Sequence, residues 1–393
     1  MKKMLADVVF PVSSPPISKG MLVCSDDGMV LALLHPGDVG YDLSEAAYYR
    51  GWIVPGFVNA HCHLELSHLK DQIQTGTGLD GFVEKLMDIR QNDPDTIARA
   101  ILNADAEMYD TGTVFVGDIS NGTNSFQCKE NSKILYHTFV ERFGFHSDKA
   151  DSAYHSGKQV LEKLQQLQHN HRGNLTLHAP YSVSEKLLTL VCNEISQHGG
   201  ILSIHNQETS TERDLFLSGK GALTSRLEKM GIYDGNWSAP GISSLQWLHE
   251  KIPDSIRVLL VHNTFTELSD LQGWLNRDAW LCLCPGANLY IESRLPDIQL
   301  FIDEKLRLVI GTDSLASNTQ LNIYEEIKLI ALNFPDIPAA MLFEWACLNG
   351  AKLFEMQHLL GSFDVGKKPG LVWISDADPE GKKIFKHSKA QSI

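Results

Sequence analysis

The fold class this sequence predicts is α/β: a (β/α)8 TIM barrel with a small β-sandwich domain formed by both chain termini. Three observations predict it. Eight short apolar runs of strand type follow one another from residue 53 onward. Between them lie longer segments whose apolar residues return every three or four positions, the period of an amphipathic helix. Further β-like runs gather near the two ends of the chain. Buried strands alternating with helices mark an α/β sheet, closed or open. The open, dinucleotide-binding version needs a Gly-x-Gly-x-x-Gly turn after its first strand, and no such turn follows here.

Taken in order, residues 1–52 carry DVVFPV and GMLVCSDDGMVLALL, with Asp-Asp-Gly as a hairpin turn signal. The opening MKKMLADVVFPVSSPP has two lysines and a short apolar run, but Asp7 interrupts the run and no small-residue cleavage site follows, so it reads as a first strand. The eight runs of the barrel occupy 53–63, 113–120, 134–142, 175–180, 201–208, 258–265, 280–288 and 306–314. GFVEKLMDIR, SEKLLTLVCNEISQHG and TSRLEKMGI are helical stretches between them. GSFDVGKKPGLVWIS, at 361–375, reads as strand, turn and strand. The division is therefore a catalytic barrel over 53–361 and a β domain from 1–52 plus 362–393, with the polar, Lys-rich last dozen residues as a frayed tail.

Composition narrows the function. The chain has 393 residues, 43% hydrophobic and 21% charged, which suits a folded enzyme. Its net charge of −14 argues against nucleic acid or an anionic membrane as partner and leaves a small-molecule substrate. No apolar run approaches the roughly 18 residues that cross a bilayer. Seven scattered cysteines are an odd number and no disulfide framework, which points to a reducing cytoplasm. Cys282 and Cys284 lack a second pair and read as core. The glycine-rich GTGLDG, 76–81, lacks the Gly-Lys-Ser/Thr ending of a phosphate loop and reads as a lid over the site.

Sixteen histidines are the unusual feature. His35, His137, His155, His169, His171, His249, His358 and His387 show no partner pattern. Others fall where the runs end: His61 and His63 on the first, His178 on the fourth, His205 and Glu208 on the fifth, His262 on the sixth and Asp313 on the eighth. In a barrel all of these reach the C-terminal rim, where active sites form. Side chains alternate along a strand, so His61 and His63 share a side while Cys62 faces away. With His205 and Asp313 they make three imidazoles and a carboxylate, a set for one divalent ion: Zn²⁺ first, with Fe²⁺ and Mn²⁺ as alternatives. Such an ion lowers the pKa of a bound water from about 16 toward about 7, which makes hydrolysis the natural chemistry. Glu208 is placed to move protons between that water and a leaving group. His262 is placed to orient the water or stabilise the developing negative charge. Asp313 is a ligand that can also serve as base, and His178 is a candidate substrate contact.

PGFVNAHCHLELS, LHAPYSVS, HNQETSTE, VHNT, CPGANL and GTDSLASN, in that order, resemble the metal-dependent amidohydrolase superfamily, closest to its mononuclear aminohydrolases. That branch includes adenosylhomocysteine and methylthioadenosine deaminases, guanine deaminase, chlorotriazine hydrolases and aminodeoxyfutalosine deaminase. The likeness runs from about residue 7 to 375 and implies the same ligand set, His61, His63, His205 and Asp313, with Glu208 as proton shuttle. It implies His262 beside the water and His178 on substrate. No lysine ends the fourth run, where binuclear members carry a carboxylated bridge, so the resemblance implies one metal. GKKPGL departs from the usual Gly-Lys-x-Ala-Asp-Leu, and the Trp-Leu-x-x-x-x-x-Pro pattern of deaminases for adenosine thioethers is missing. Glu65 and Ser67 in HCHLELS look more like the aminodeoxyfutalosine group, which makes Glu65 a substrate candidate; Glu141 and Arg142, ending the third run, are others.

The resulting expectation is a hydrolytic deaminase. Activated water attacks an amidine-like carbon of an aminated heterocycle, Glu208 protonates the ring nitrogen and then the amine, and ammonia leaves. The substrate expected is a purine base or an adenine nucleoside derivative, aminodeoxyfutalosine-like or adenosine-type. The alternatives are a hydrolase of a cyclic amide, imine or halogenated ring, and a non-catalytic binding homologue. The resemblance also implies a homodimer or a larger assembly.

Overall fold

The computed structural model describes residues 1–168, 172–233 and 237–393. His169 and His171 lie outside the described residues. Among the described residues fifteen strands form an α/β fold with two parallel sheets and one mixed sheet. The mixed sheet contains β1 (Lys2–Val9), β2 (Ile17–Ser18), β3 (Met21–Cys24), β4 (Val30–Leu34) and β5 (Ala47–Pro55). The first parallel sheet runs β6 (Phe57–Cys62), β7 (Thr113–Ser120), β8 (Leu135–Arg142) and β9 (Arg172–Leu177). The second runs β10 (Ile201–Asn206), β11 (Arg257–His262), β12 (Ala279–Leu283) and β13 (Arg307–Ile310). The C-terminal strands β14 (Leu371–Ser375) and β15 (Lys389–Ser392) return to the mixed sheet.

Val258 and Leu260 pack in one apolar cluster with helix residues such as Leu187 and Leu245, while Leu259 and Val261 pack in another with strand residues such as Val58, Phe115 and Phe139. Both faces are therefore buried, and the run is apolar without alternation. The helix Glu185–His198 shows how the sequence sets its own ends. Ser184 accepts the Leu187 amide proton at 3.3 Å, and Gly199, at φ +78°, stops the helix. Leu187, Leu188, Val191, Cys192 and Ile195 fall on its buried face.

The two parallel sheets meet at both edges. At one, Cys62 bridges Asp313, and the Thr312 and Asp313 amides donate to the His61 carbonyl at 3.0 and 3.1 Å. At the other, side chains replace part of the ladder. Asn174 accepts from the Ile201 amide and donates to its carbonyl, Thr176 donates to the Ser203 carbonyl, and the His205 amide donates to the His178 carbonyl at 2.9 Å.

The apolar run 53–63 is divided between two sheets. Its first three residues end β5, and β6 starts at Phe57. The break is Pro55-Gly56: a Cβ on Gly56 would lie 2.4 Å from Val114 Cγ1 and 2.6 Å from the Pro369 carbonyl oxygen, so only glycine passes between them. β5 pairs parallel with β1 and antiparallel with β14. Hydrogen bonds join the seven terminal strands into one sheet, where a sandwich implies two separately bonded layers.

The frayed tail is a correction. Lys389–Ser392 is β15, paired in register with Val372–Ser375, and the Ile393 amide reaches the Leu371 carbonyl at 3.0 Å. Main-chain pairing needs no apolar side chain, so the polarity of the segment hid it. GTGLDG is likewise only partly loop, because the helix Gly78–Ile89 starts inside it. All seven cysteines are free and buried. Among the described residues no helix is long and apolar enough to cross a membrane.

Candidate active site

The strands end slightly earlier than the apolar runs, so several functional side chains stand on the first turn beyond them. His61, His205 and His262 are still in strand; His63 and His178 are one residue past β6 and β9. Glu208 and Asp313 lie two and three residues beyond β10 and β13. Left-handed backbone concentrates here: Gln207 has φ +46°, His262 +74°, Asn263 +54° and Asp313 +57°. Such conformations are costly for residues with side chains and recur where a side chain must be aimed.

Four of these side chains converge. His63 Nε2 lies 3.1 Å from His61 Nε2 and 3.3 Å from His205 Nε2. Asp313 Oδ1 lies 3.5 Å from His61 Nε2 and 3.3 Å from His63 Nε2. All four donor atoms fall within 4.8 Å of one another.

The donor set fits a divalent cation. His205 Nδ1 is 2.7 Å from the His178 carbonyl, which can only accept, so Nδ1 carries the proton and Nε2 presents a lone pair. Burial holds the imidazolium forms down, with the pKa of His61 lowered to about 4 and of His63 to about 3. Neutral rings whose lone pairs meet at about 3 Å repel unless something positive lies between them. Burial alone would raise the Asp313 carboxyl, yet the His61 hydrogen bond and the neighbouring His63 and His262 hold it well below its ordinary range. Its Oδ2 accepts the Ser317 hydroxyl proton, which leaves Oδ1 facing the imidazoles.

One cleft exposes three of these donors, on His63, His205 and Asp313, together with Glu208, His262 and His178. Burial raises the Glu208 pKa to about 8, with the charge of Asp313 adding to the rise and His205 opposing it. His262 Nε2 lies 3.5 Å from Glu208 Oε1. His178 is only partly buried, with Nδ1 2.9 Å from Ser182 Oγ. The opposite wall is apolar: Leu66, Leu79, Phe82, Val83, Leu86 and Tyr181, mostly from the helix Gly78–Ile89. A larger cavity opens at the other ends of the strands, around His137, Asn174 and Arg257, away from these groups.

Glu65, Glu141 and Arg142 are not among the residues that line this cleft. Glu65 is bound by Arg90 Nη2 at 3.0 Å and by the Asn121 amide at 3.1 Å. Asn121 also donates to Glu141 Oε2 at 2.8 Å, while Arg142 spends its guanidinium on the carbonyls of Asn121, Glu141 and Ser156. Glu141 Oε1 is buried 3.8 Å from His205 Nδ1 without a hydrogen-bond partner among the described residues. These groups form the layer behind the cleft. Sequence reasoning missed Arg90, Asn121 and Ser317, single polar residues whose partners lie on other loops. It also missed the apolar wall, although the period of GFVEKLMDIR carries that signal.

Comparison with known proteins agrees with this geometry. The amidohydrolase family model matches residues 52–392. Aminodeoxyfutalosine deaminase of Nitratiruptor sp. is 25% identical over 308 residues, 76% of this chain and 72% of that protein. Among solved structures, Helicobacter pylori aminofutalosine deaminase in complex with methylthio-coformycin superposes with a TM-score of 0.82 at 22% identity, covering 100% of this chain and 97% of that one. An adenosine deaminase from Xanthomonas campestris with bound zinc gives a TM-score of 0.70 at 20% identity, over 95% of this chain and 84% of that one. The ordered strand-end groups and a match across most of the chain lead to one conclusion: the protein belongs to the amidohydrolase family.

Proposed function

We propose that this protein is a hydrolytic deaminase of an adenine nucleoside or closely related purine, working with one divalent metal ion, Zn²⁺ by preference. The observation that carries the reading is the single cleft in which His63, His205 and Asp313 stand beside Glu208, His262 and His178. The names of the similar deaminases support an adenosine-like substrate. The edge bonds described above support one closed (β/α)8 barrel over 53–361, flanked by a β domain from 1–52 and 362–393. A homodimer in the cytoplasm completes the proposal.

In this reading His61, His63, His205 and Asp313 would hold the metal, which would supply Lewis-acid activation of a water. Glu208 takes one proton from the water and passes it to the ring nitrogen, then takes a second from the hydroxyl added to the attacked carbon and passes it to the amine, which leaves as ammonia. His262, 3.5 Å from Glu208, steadies the negative charge that grows at the attacked carbon. His178 donates to the heterocycle, and the Leu79, Phe82 and Leu86 wall covers it and excludes water. Glu65, Glu141 and Arg142 hold the floor of the cleft in place.

An ammonia-release screen over purines, adenine nucleosides, triazines and cyclic ureas tests the proposal. Turnover is expected on the adenine nucleosides. Release only from triazines or cyclic ureas, or silence at full metal occupancy, overturns it.

A further inference from the structure

A fully buried ion pair lies just outside the cleft. Lys129 Nζ and Asp118 Oδ2 are 2.6 Å apart, and neither side chain has any exposed surface. Lys129 also donates to Ser120 Oγ at 3.1 Å and Thr138 Oγ1 at 2.9 Å, so all three ammonium protons are placed. Asp118 Oδ2 further accepts the Ser120 and Ser125 hydroxyls at 3.0 and 3.4 Å. A buried pair of this kind gives little net stability, because both ions lose their water. Its remaining contact shows what it does instead. Asp118 Oδ1 accepts the Leu64 amide proton at 2.8 Å, and Leu64 directly follows His63.

That bond sits where the regular ladder fails. The β6–β7 register shifts between Asn59 and Cys62, and Cys62 stands opposite Asp118. Beyond Cys62 the main chain of β7 no longer holds the chain; the Asp118 side chain does. Among the described residues the main-chain bonds of His63 are its amide to the Asp313 carbonyl, long at 3.4 Å, and its carbonyl to the Leu66 amide at 3.1 Å, the latter local to the turn. Lys129, on the short helix Phe126–Asn131, and Thr138, on β8, tie the same carboxylate to two further elements.

We propose that the Asp118–Lys129 pair is a positioning device for the metal centre, fixing the turn after His63 so that its imidazole meets His61, His205 and Asp313. The inference rests on the metal reading given above. The two residues touch neither cleft nor ligand ring, and they act through the Leu64 amide.

Two double variants test it. D118L/K129M removes the acceptor and both charges; D118N/K129M removes the charges but keeps an acceptor for Leu64. Zinc affinity by chelator competition, the visible spectrum of the Co²⁺ form and the melting of the metal-free protein are compared with the parent. D118L/K129M is expected to lose about 10- to 100-fold in zinc affinity and to change the Co²⁺ spectrum, the scale of losing a group that orients a ligand. D118N/K129M is expected to stay within about threefold of the parent. Parent-like affinity and spectrum in folded D118L/K129M overturn the inference, as does equal loss in both variants. Where D118L/K129M does not fold, D118A/K129M, which also lacks the acceptor, is read against D118N/K129M in its place, and parent-like affinity and spectrum there overturn it too. A parent protein that binds neither zinc nor cobalt refutes the metal reading itself, a distinct outcome.

Discussion

Glu208→Gln should make the metal-free protein more stable while abolishing turnover. Burial raises the Glu208 pKa from 4.5 to about 8. Between those values the unfolded chain ionises this carboxyl and the folded chain keeps it protonated. The folded state then binds more protons, so stability falls as pH rises through this window. At about 1.4 kcal/mol per unit, the cost is about 1 kcal/mol at pH 5 and about 3 kcal/mol at pH 7. Glutamine keeps the shape without the charge and escapes this cost. With about 2 cal/mol/K of unfolding entropy per residue, the advantage of the variant should grow by about 3 °C between pH 5 and pH 7. Melting curves of metal-free parent and variant at both pH values measure that growth. The metal-loaded variant should release ammonia at least about 10²-fold more slowly. A stability difference that does not change with pH refutes the burial argument, and parent-like turnover refutes the shuttle role.

Three other outcomes follow from the same geometry. Purified parent protein should carry about one equivalent of transition metal by elemental analysis, and Asp313→Ala should carry almost none; two equivalents contradict the mononuclear site. Ser317→Ala removes the hydroxyl that holds Asp313 Oδ2, and chelator competition should show zinc affinity reduced by about 10-fold or more. Leu86→Ala trims a half-buried part of the apolar wall by about 1 kcal/mol of contact. Steady-state kinetics should then show KM raised about fivefold with kcat near the parent value.

The convergence of His61, His63, His205 and Asp313 was legible in the sequence because strand periodicity fixes which side chains share a side, and a parallel α/β sheet gathers strand ends. His61 and His63 could be paired by that rule, and His205 and Asp313 placed at matching ends. Partners set by loop geometry could not be read. Arg90 reaches Glu65 across 25 positions, and Asn121 joins Glu65 to Glu141, through contacts that carry no spacing signal. Lys129 resembled any helix-surface lysine, and only folding removes its exposure. The terminal β15 was missed because its pairing is main-chain only, and the Pro55-Gly56 break was hidden inside a continuous apolar run.

The four donors are shared between the two parallel sheets. His61 and His63 belong to the end of β6, whereas His205 and Asp313 follow β10 and β13. A cation held by all four is therefore a clasp between two halves of the chain, and its binding energy goes into their docking. The concentration of such a cation should then govern how tightly the halves stay together. Loss of the cation should then show first as increased proteolysis at the edges where the two sheets meet.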